Sequence, residues 1–334
     1  MPGYFITIDA GTTRTRAYLW DARRRLVGVE RRETGVRDTA VDGDNRRLKA
    51  AVRECLESLL RGAGLEYADV DRVLASGMIT SNVGLLEIPH LPAPVSLDDL
   101  ARGTRPARVA DVCPLPIHFI PGVKNSDRAV TEGDFESMDI MRGEEVETFA
   151  LLEQLGARGD WLIVLPGSHT KFVSVDGEGR VTGCLTSITG ELLASITGHT
   201  ILADAVDRRF VGEDSYCRDM MLLGLDTAEA VGLGRACFSA RILSQFAEET
   251  PERLANYLLG ACLQSDLAAV KNSTAISRAR SALVAGRGAM CLAMADAFRH
   301  AGAFDEVRHY DPGDTPLSGL GALAVSKRLD EITE

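Results

Sequence analysis

Twice along the chain a short apolar strand runs into a turn of glycine and hydroxyl residues and comes straight back as a second strand. The first copy runs from Tyr4–Asp9 through Asp9-Ala10-Gly11-Thr12-Thr13-Arg14 to Arg16–Trp20. The second runs from Trp161–Leu165 through Pro166-Gly167-Ser168-His169-Thr170 to Lys171–Val175. Each continues into a third strand, Leu26–Arg32 and Val181–Ser187, and then through helical periodicity to a further strand, Arg72–Ala75 and Ala282–Ala285. The halves share little sequence, so what repeats is the pattern. It predicts two related α/β domains, 1–156 and 157–334, facing a cleft and hinged near Gly156–Asp160.

Between these blocks the spacing of Leu48, Ala51, Val52, Cys55, Leu56, Leu59 and Leu60 predicts a helix over Asn45–Leu65. Pro89–Pro121 is Pro-rich and weakly periodic, Asp127–Glu136 is an acidic loop, and a helix is expected from about Asp139 to Leu155. Helical periodicity dominates Glu191–Lys271, with Leu254, Leu258, Leu259, Cys262, Leu263 and Leu267 on one apolar face, and a last helix is expected to begin near Arg287.

Of the 334 residues 45% are hydrophobic and 25% charged, which suits two compact globular domains. The net charge of -11 opposes nonspecific attraction to nucleic acid or anionic lipid, so an anionic ligand needs a local positive site. No secretory leader pattern and no membrane-length apolar stretch is present. The seven cysteines lack CxxC spacing. The expectation is a soluble cytoplasmic protein with buried thiols, a homodimer being allowed.

In the first turn Gly11 lets the backbone approach a ligand, Thr12, Thr13 and Arg14 offer phosphate donors, and Asp9 suits a hydrated magnesium ion. An ordinary polar hairpin would use the same residue types. The second turn repeats the design with Gly167, Ser168 and Thr170, and Lys171 adds positive charge. His169 has no HxH or HxxxH partner and is not expected to bind metal. A third segment, Ser281-Ala282-Leu283-Val284-Ala285-Gly286-Arg287-Gly288-Ala289, is a strand whose glycines open a helix, a place for a nucleoside against backbone. Its rival reading, a dinucleotide fingerprint, lacks the third glycine.

Together the two turns and the Gly286/Gly288 segment resemble the phosphate and adenosine motifs of the actin, hexokinase and Hsp70 ATPase superfamily. Gly77-Met78-Ile79-Thr80-Ser81-Asn82-Val83-Gly84, Met141-Arg142-Gly143-Glu144-Glu145 and Thr189-Gly190-Glu191-Leu192 with His199 resemble the 2-dehydro-3-deoxygalactonokinases more closely. The chain departs from that family at Ala10 and Phe172, where Trp is usual. The resemblance implies an α/β fold of two ribonuclease H-like (actin/hexokinase-type) domains, mixed sheets flanked by helices around an interdomain cleft. It implies ATP and Mg2+ as cofactors and a six-carbon 2-keto-3-deoxy sugar acid as the small-molecule partner, phosphorylated at its terminal hydroxyl.

In superfamily sugar kinases an Asp commonly starts the helix before the second phosphate turn. The resemblance therefore makes Asp139 the expected base, with Glu144 as the alternative and Lys171 as the cation beside the transferring phosphate. Arg142 is the expected partner of the substrate carboxylate, or else of Glu144 or Glu145 on its own helix. Ser81, Asn82, Glu144 and Glu191 are the further sugar contacts. A kinase for the gluconate stereoisomer, a phosphoanhydride hydrolase and an actin-like ATPase are the competing functions.

Overall fold

The computed structural model describes residues 3–156 and 159–333, so residues 157 and 158 of the expected hinge lie outside the described residues. The first half carries β1 (Tyr4–Ala10), β2 (Thr15–Trp20), β3 (Leu26–Arg32), α1 (Val36–Asp42), α2 (Arg46–Ala63) and β4 (Val70–Gly77). There follow β5 (Leu91–Pro92), α3 (Leu97–Gly103), β6 (Arg105–Ala107), β7 (Ile117–Phe119), β8 (Val123–Lys124), β9 (Ile140–Met141) and α4 (Glu144–Leu155). The second half carries β10 (Trp161–Leu165), β11 (Thr170–Val175), β12 (Val181–Ser187), α5 (Thr189–His199), α6 (Arg218–Val231), α7 (Leu233–Phe246) and α8 (Pro251–Asn272). It ends with β13 (Ser281–Ala285), α9 (Ala289–Ala301), β14 (Glu306–Tyr310) and α10 (Leu317–Thr333).

The two large sheets have one plan. Their orders are β3-β2-β1-β4-β7-β6 and β12-β11-β10-β13-β14. In each, an antiparallel meander is extended by a strand parallel to its first member, β4 beside β1 and β13 beside β10. This is the expected pair of ribonuclease H-like domains. Helix α2 buries its predicted apolar stripe and stops at Ala63, because Gly64 takes the left-handed conformation, φ 67°.

One core joins the sheets. Leu74 of β4, Val146, Phe149 and Leu151 of α4, Trp161 and Ile163 of β10, and Ala322 and Val325 of α10 pack as a single cluster. Helix α10 comes last in sequence yet lies against α4, α3, β1 and β4 of the first half. Two of its glycines permit this contact: a Cβ on Gly321 would stand 1.9 Å from the Val146 carbonyl oxygen, and one on Gly319 2.6 Å from the Trp20 ring. The expected second domain, 157–334, thus gives its final helix to the layer between the sheets.

A small third sheet, β5-β8-β9, binds the first half to β12. Val95 bridges Val181, and Asn125 donates to the Cys184 and Ala275 carbonyls while accepting from the Cys184 amide. This sheet corrects the expected helix over Asp139–Leu155. Ile140 and Met141 pair as a strand, Gly143 turns the chain at φ 116°, and helical residues begin only at Glu144. The predicted helical stretch over Glu191–Lys271 is four helices, with Gly232 at φ 81° dividing α6 from α7. All seven cysteines are free, and among the described residues no helix is long and apolar enough to cross a membrane.

Candidate active site

The expected phosphate and adenosine turns all sit at the carboxyl ends of β1, β10 and β13, the edge where α/β sheets hold ligands. The first turn closes through the Gly11 amide on the Arg14 carbonyl, 2.9 Å. Behind it stands the start of α1, whose Val36 and Arg37 amides donate to the Gly11 and Thr12 carbonyls at 3.1 and 2.9 Å. Gly35 makes this possible, since a Cβ there would lie 2.5 Å from the Thr12 carbonyl carbon.

The second turn is backed in the same way by α5. The Glu191 amide donates to the Ser168 carbonyl at 3.1 Å, and a Cβ on Gly190 would lie 2.2 Å from the Gly167 oxygen. With those carbonyls drawn back, the amides of Thr12, Thr13, Ser168 and His169 donate to no acceptor among the described residues. Concave runs of free amides bind anions. Thr12, Thr13, Arg14, Gly167 and Ser168 are exposed, and Arg14 pairs with Glu33 at 2.8 Å. Thr170 is buried with its hydroxyl unpartnered. Gly286 and Gly288 turn the chain from β13 into α9 at φ 136° and 90°.

Asp9 is the penultimate residue of β1, facing Arg16 of β2 and Ser318 of α10. Its Oδ2 accepts from Arg16 at 3.1 Å and from Ser318 at 3.3 Å, while Oδ1 has no hydrogen-bond donor. Burial raises its carboxyl above the usual range against the pull of Arg16. A free carboxylate oxygen beside a phosphate-sized turn suits a hydrated divalent cation. Among the described residues no three His, Cys, Asp or Glu side chains are arranged to hold a metal. Such a cation must then take most of its ligands from water and phosphate, as magnesium does.

A contact between two glycines brings α4 to this point. Gly77, φ 84°, passes close to Asp9, and a Cβ on Gly143 would lie 3.4 Å from the Gly77 Cα. Glu144 follows, half-buried, with one oxygen accepting from the Arg142 amide at 3.1 Å. Burial lifts its carboxyl, the charge of Lys171 opposes, and Asp9 adds to the lift. Glu144 therefore stands in the field of both halves. Burial also pushes Glu145 and Glu147 up to about 8, reinforced by Glu144 in the first case and by Asp9 and Glu144 in the second. Glu147 and Arg16 belong to the cluster although neither stood out in the sequence.

Three expected site residues are committed elsewhere. Lys171 is buried and donates to the Ile140 carbonyl at 2.9 Å and to the Thr186 hydroxyl. Asp139 accepts from the Thr186 amide and hydroxyl and from the Ile140 amide at 2.5, 3.0 and 2.6 Å. Asp139 is thus no helix cap, and with Lys171 it ties β9 to β11 and β12. Arg142 reaches Thr80 and the Ile88 carbonyl, both at 2.7 Å, and His90 at 3.3 Å. Lying before Gly143 rather than on the helix, it makes no ion pair with Glu144 or Glu145. It braces the loop that carries Ser81, buried on the Met78 carbonyl, and the exposed Asn82. Burial, then Arg142, pushes His90 down to about 4, leaving a neutral ring to accept from the guanidinium.

Glu191 pairs with His169 at 3.1 Å, within the second turn. Ala10 and Phe172, the two departures from the family pattern, are fully buried beneath the turns. Gly35 and Gly190, which set both turns, share one legible signal: a glycine beside the first residue of a helix that follows a meander.

The profile of the 2-keto-3-deoxy-galactonokinase family matches residues 9–322. A curated relative, "Probable 2-dehydro-3-deoxygalactonokinase" of Rhizobium meliloti (strain 1021), is 29% identical over 206 residues, 61% of this chain. The chain spans 60% of the length of that relative. The crystal structure of a "putative 2-dehydro-3-deoxygalactonokinase protein" from Sinorhizobium meliloti is similar in fold, with TM-score 0.74 and 22% identity over 98% of this chain and 99% of that one. So is component A of the Acidaminococcus fermentans (R)-2-hydroxyglutaryl-CoA dehydratase, at TM-score 0.51 and 10% identity over 98% and 99% of the two chains. With the family match reaching from Asp9 in the first turn to Ala322 in α10, the chain belongs to the 2-keto-3-deoxy-galactonokinase family.

Proposed function

We propose that the chain transfers the terminal phosphoryl group of ATP to the terminal hydroxyl of 2-dehydro-3-deoxy-D-galactonate, giving the 6-phosphate and ADP. The observation that carries this reading is the pair of hairpin turns, one at the end of each sheet's first strand, with Glu144 brought toward Asp9 by the close contact of Gly143 with Gly77. Residues 1–156 receive the sugar acid and present the first turn. The second half presents the other turn and the adenosine site, with α10 returned to the first.

The free amides of both turns, with Gly11, Arg14, Gly167 and Thr170 around them, take the polyphosphate from two sides. Gly286 and Gly288 leave backbone room for the nucleoside. Asp9 would hold hydrated magnesium, which when bound offsets charge on the phosphates. Glu144 accepts the proton of the attacking hydroxyl; burial brings its carboxyl nearer to neutral pH, the range in which a general base works best. Asp139 and Lys171 hold the β9 crossing on which Glu144 depends. Arg142 forms no direct ion pair with a protein carboxylate, Glu145 and Glu87 acting on it only through their charge, so its guanidinium serves the carboxylate of the substrate, with Ser81, Asn82 and Glu191 completing the sugar contacts. A primary hydroxyl is the least hindered acceptor.

A coupled ADP assay across 2-keto-3-deoxy acids, aldonic acids and neutral sugars tests the reading. Strong turnover is expected only with the keto-deoxy acids, and ADP formation should be nearly silent without acceptor. Activity confined to neutral sugars, or equal with water alone, would overturn it, whereas a preference for the gluconate isomer would change only the stereochemistry.

A further inference from the structure

The apolar face of α8 continues past Leu259, Cys262 and Leu263 to a carboxylate. Asp266 is fully buried there, whereas its neighbour Leu267 is only partly covered. One oxygen accepts from two hydroxyls, Ser187 and Thr189, each at 2.5 Å, while the other is buried without a partner. Burying a carboxylate is costly, and leaving half of it unsatisfied more so. A fold that needed only packing at this point would be better served by an apolar residue.

The two hydroxyls flank Ile188, the residue that leads into α5. The Thr189 amide also donates to the Ser187 hydroxyl, at 3.2 Å. The next two residues are those that touch the second turn: Gly190 against the Gly167 oxygen and the Glu191 amide on the Ser168 carbonyl. Asp266 thus reaches the turn in two steps. The first turn is backed without any buried charge, through the α1 amides and a hydroxyl contact from Thr15 to the Thr34 carbonyl, 2.8 Å.

We propose that Asp266 is the positioning residue of the second phosphate turn: by gripping Ser187 and Thr189 it fixes the first turn of α5, and through it the backbone of Gly167 and Ser168 against the nucleotide phosphates. This rests on the kinase reading only in requiring a nucleotide at that turn. Charge-assisted bonds to both hydroxyls are stronger than neutral ones, which suits a turn that must hold its shape against the repulsion of a polyphosphate.

The test is calorimetric binding of the magnesium complex of a nonhydrolysable ATP analogue to the full chain, with hydrogen exchange read at the Ser168 and Glu191 amides. Asp266→Ala should weaken binding about tenfold or more and speed exchange at the Glu191 amide. Asp266→Asn, which keeps an acceptor for both hydroxyls, should recover most of the affinity. Thr189→Val cuts the same link from the other end and stands in if Asp266→Ala does not fold; it should also weaken binding. A folded Asp266→Ala or Thr189→Val protein with analogue affinity within about twofold of wild type and unchanged exchange would overturn the proposal. Wild-type chain that binds the analogue but phosphorylates no sugar acid would overturn the substrate reading alone, and wild-type chain that does not bind it would overturn both.

Discussion

The two hairpin turns hold the same place in their sheets and differ in their surroundings. Each is a hairpin loop at the end of a sheet's first strand, and each has its carbonyls drawn back by a helix start beside a glycine. The first is preceded by Asp9, which keeps one oxygen free; the second is followed by Lys171, whose ammonium donates to the Ile140 carbonyl and the Thr186 hydroxyl. A duplicated strand pattern therefore reproduces the amide cradle, while the chemistry beside it depends on which flanking side chain the other half of the molecule captures. The first side keeps a carboxylate oxygen open although its charge is paired with Arg16, whereas the second spends its ammonium on neutral oxygens.

The largest effect should come from the carboxylate between the turns. Glu144→Gln should lower turnover on the order of a hundredfold to ten-thousandfold with little change in acceptor KM, as expected for loss of a general base. Asp139→Asn should cost less turnover and more thermal stability, because it loosens the β9 crossing. Steady-state kinetics beside a melting curve separates them, and the reverse ranking would return the base to Asp139.

A smaller contrast lies in the flanking residues themselves. Asp9→Asn should reduce turnover at least tenfold and raise the magnesium concentration needed for half-maximal rate, with folding nearly intact. Lys171→Met should act mainly on stability, by about 2–3 kcal/mol, since it deletes charged hydrogen bonds in a buried site. If both variants lost only turnover, the difference drawn between the two sides would fail.

The gentlest test uses pH. Glu145 and Glu147 titrate at about 8 in the fold and near 4.5 when unfolded. The folded state then holds protons that the unfolded state releases, so their contribution is greatest below about pH 4.5 and is lost as pH rises through 8. Melting temperatures should decline across that window, and Glu147→Gln should make the decline shallower. Asp266, pushed up to about 6 by burial, belongs to the second side, and Asp266→Asn should leave the slope above pH 7 unchanged.

What the chain discloses in one dimension is what neighbours in sequence decide. The strands Leu26–Arg32, Trp161–Leu165 and Val181–Ser187 read at their observed bounds because apolar content and turn residues are local signals. Both hairpin turns were legible for the same reason. The two-residue strands β5, β8 and β9 were not, since only pairing with one another makes them strands. Asp139 looked like the start of a helix because its partner, Thr186, lies 47 positions away. Helical spacing puts Asp266 on the apolar face of α8, but its partners Ser187 and Thr189 lie 79 and 77 positions away and show only where α5 meets α8. Arg142 could be given a charge from sequence but not a direction, which the Gly143 turn decides.

The return of α10 to the first sheet has a consequence for how the molecule is made. Arg72 of β4 bonds to Ser326 of α10 across 254 positions of chain, so the helix that covers β1 and β4 leaves the ribosome long after they do. Until then the Trp20 side and the apolar face of α4 have no cover, and the first half has the exposed surface that invites aggregation or chaperone binding during synthesis. The contact also closes late for entropic reasons, because so distant a pairing must overcome the freedom of all the chain between. A nascent chain stalled before Leu317 should therefore hold a protease-sensitive first half even when every residue of that half is already outside the ribosome.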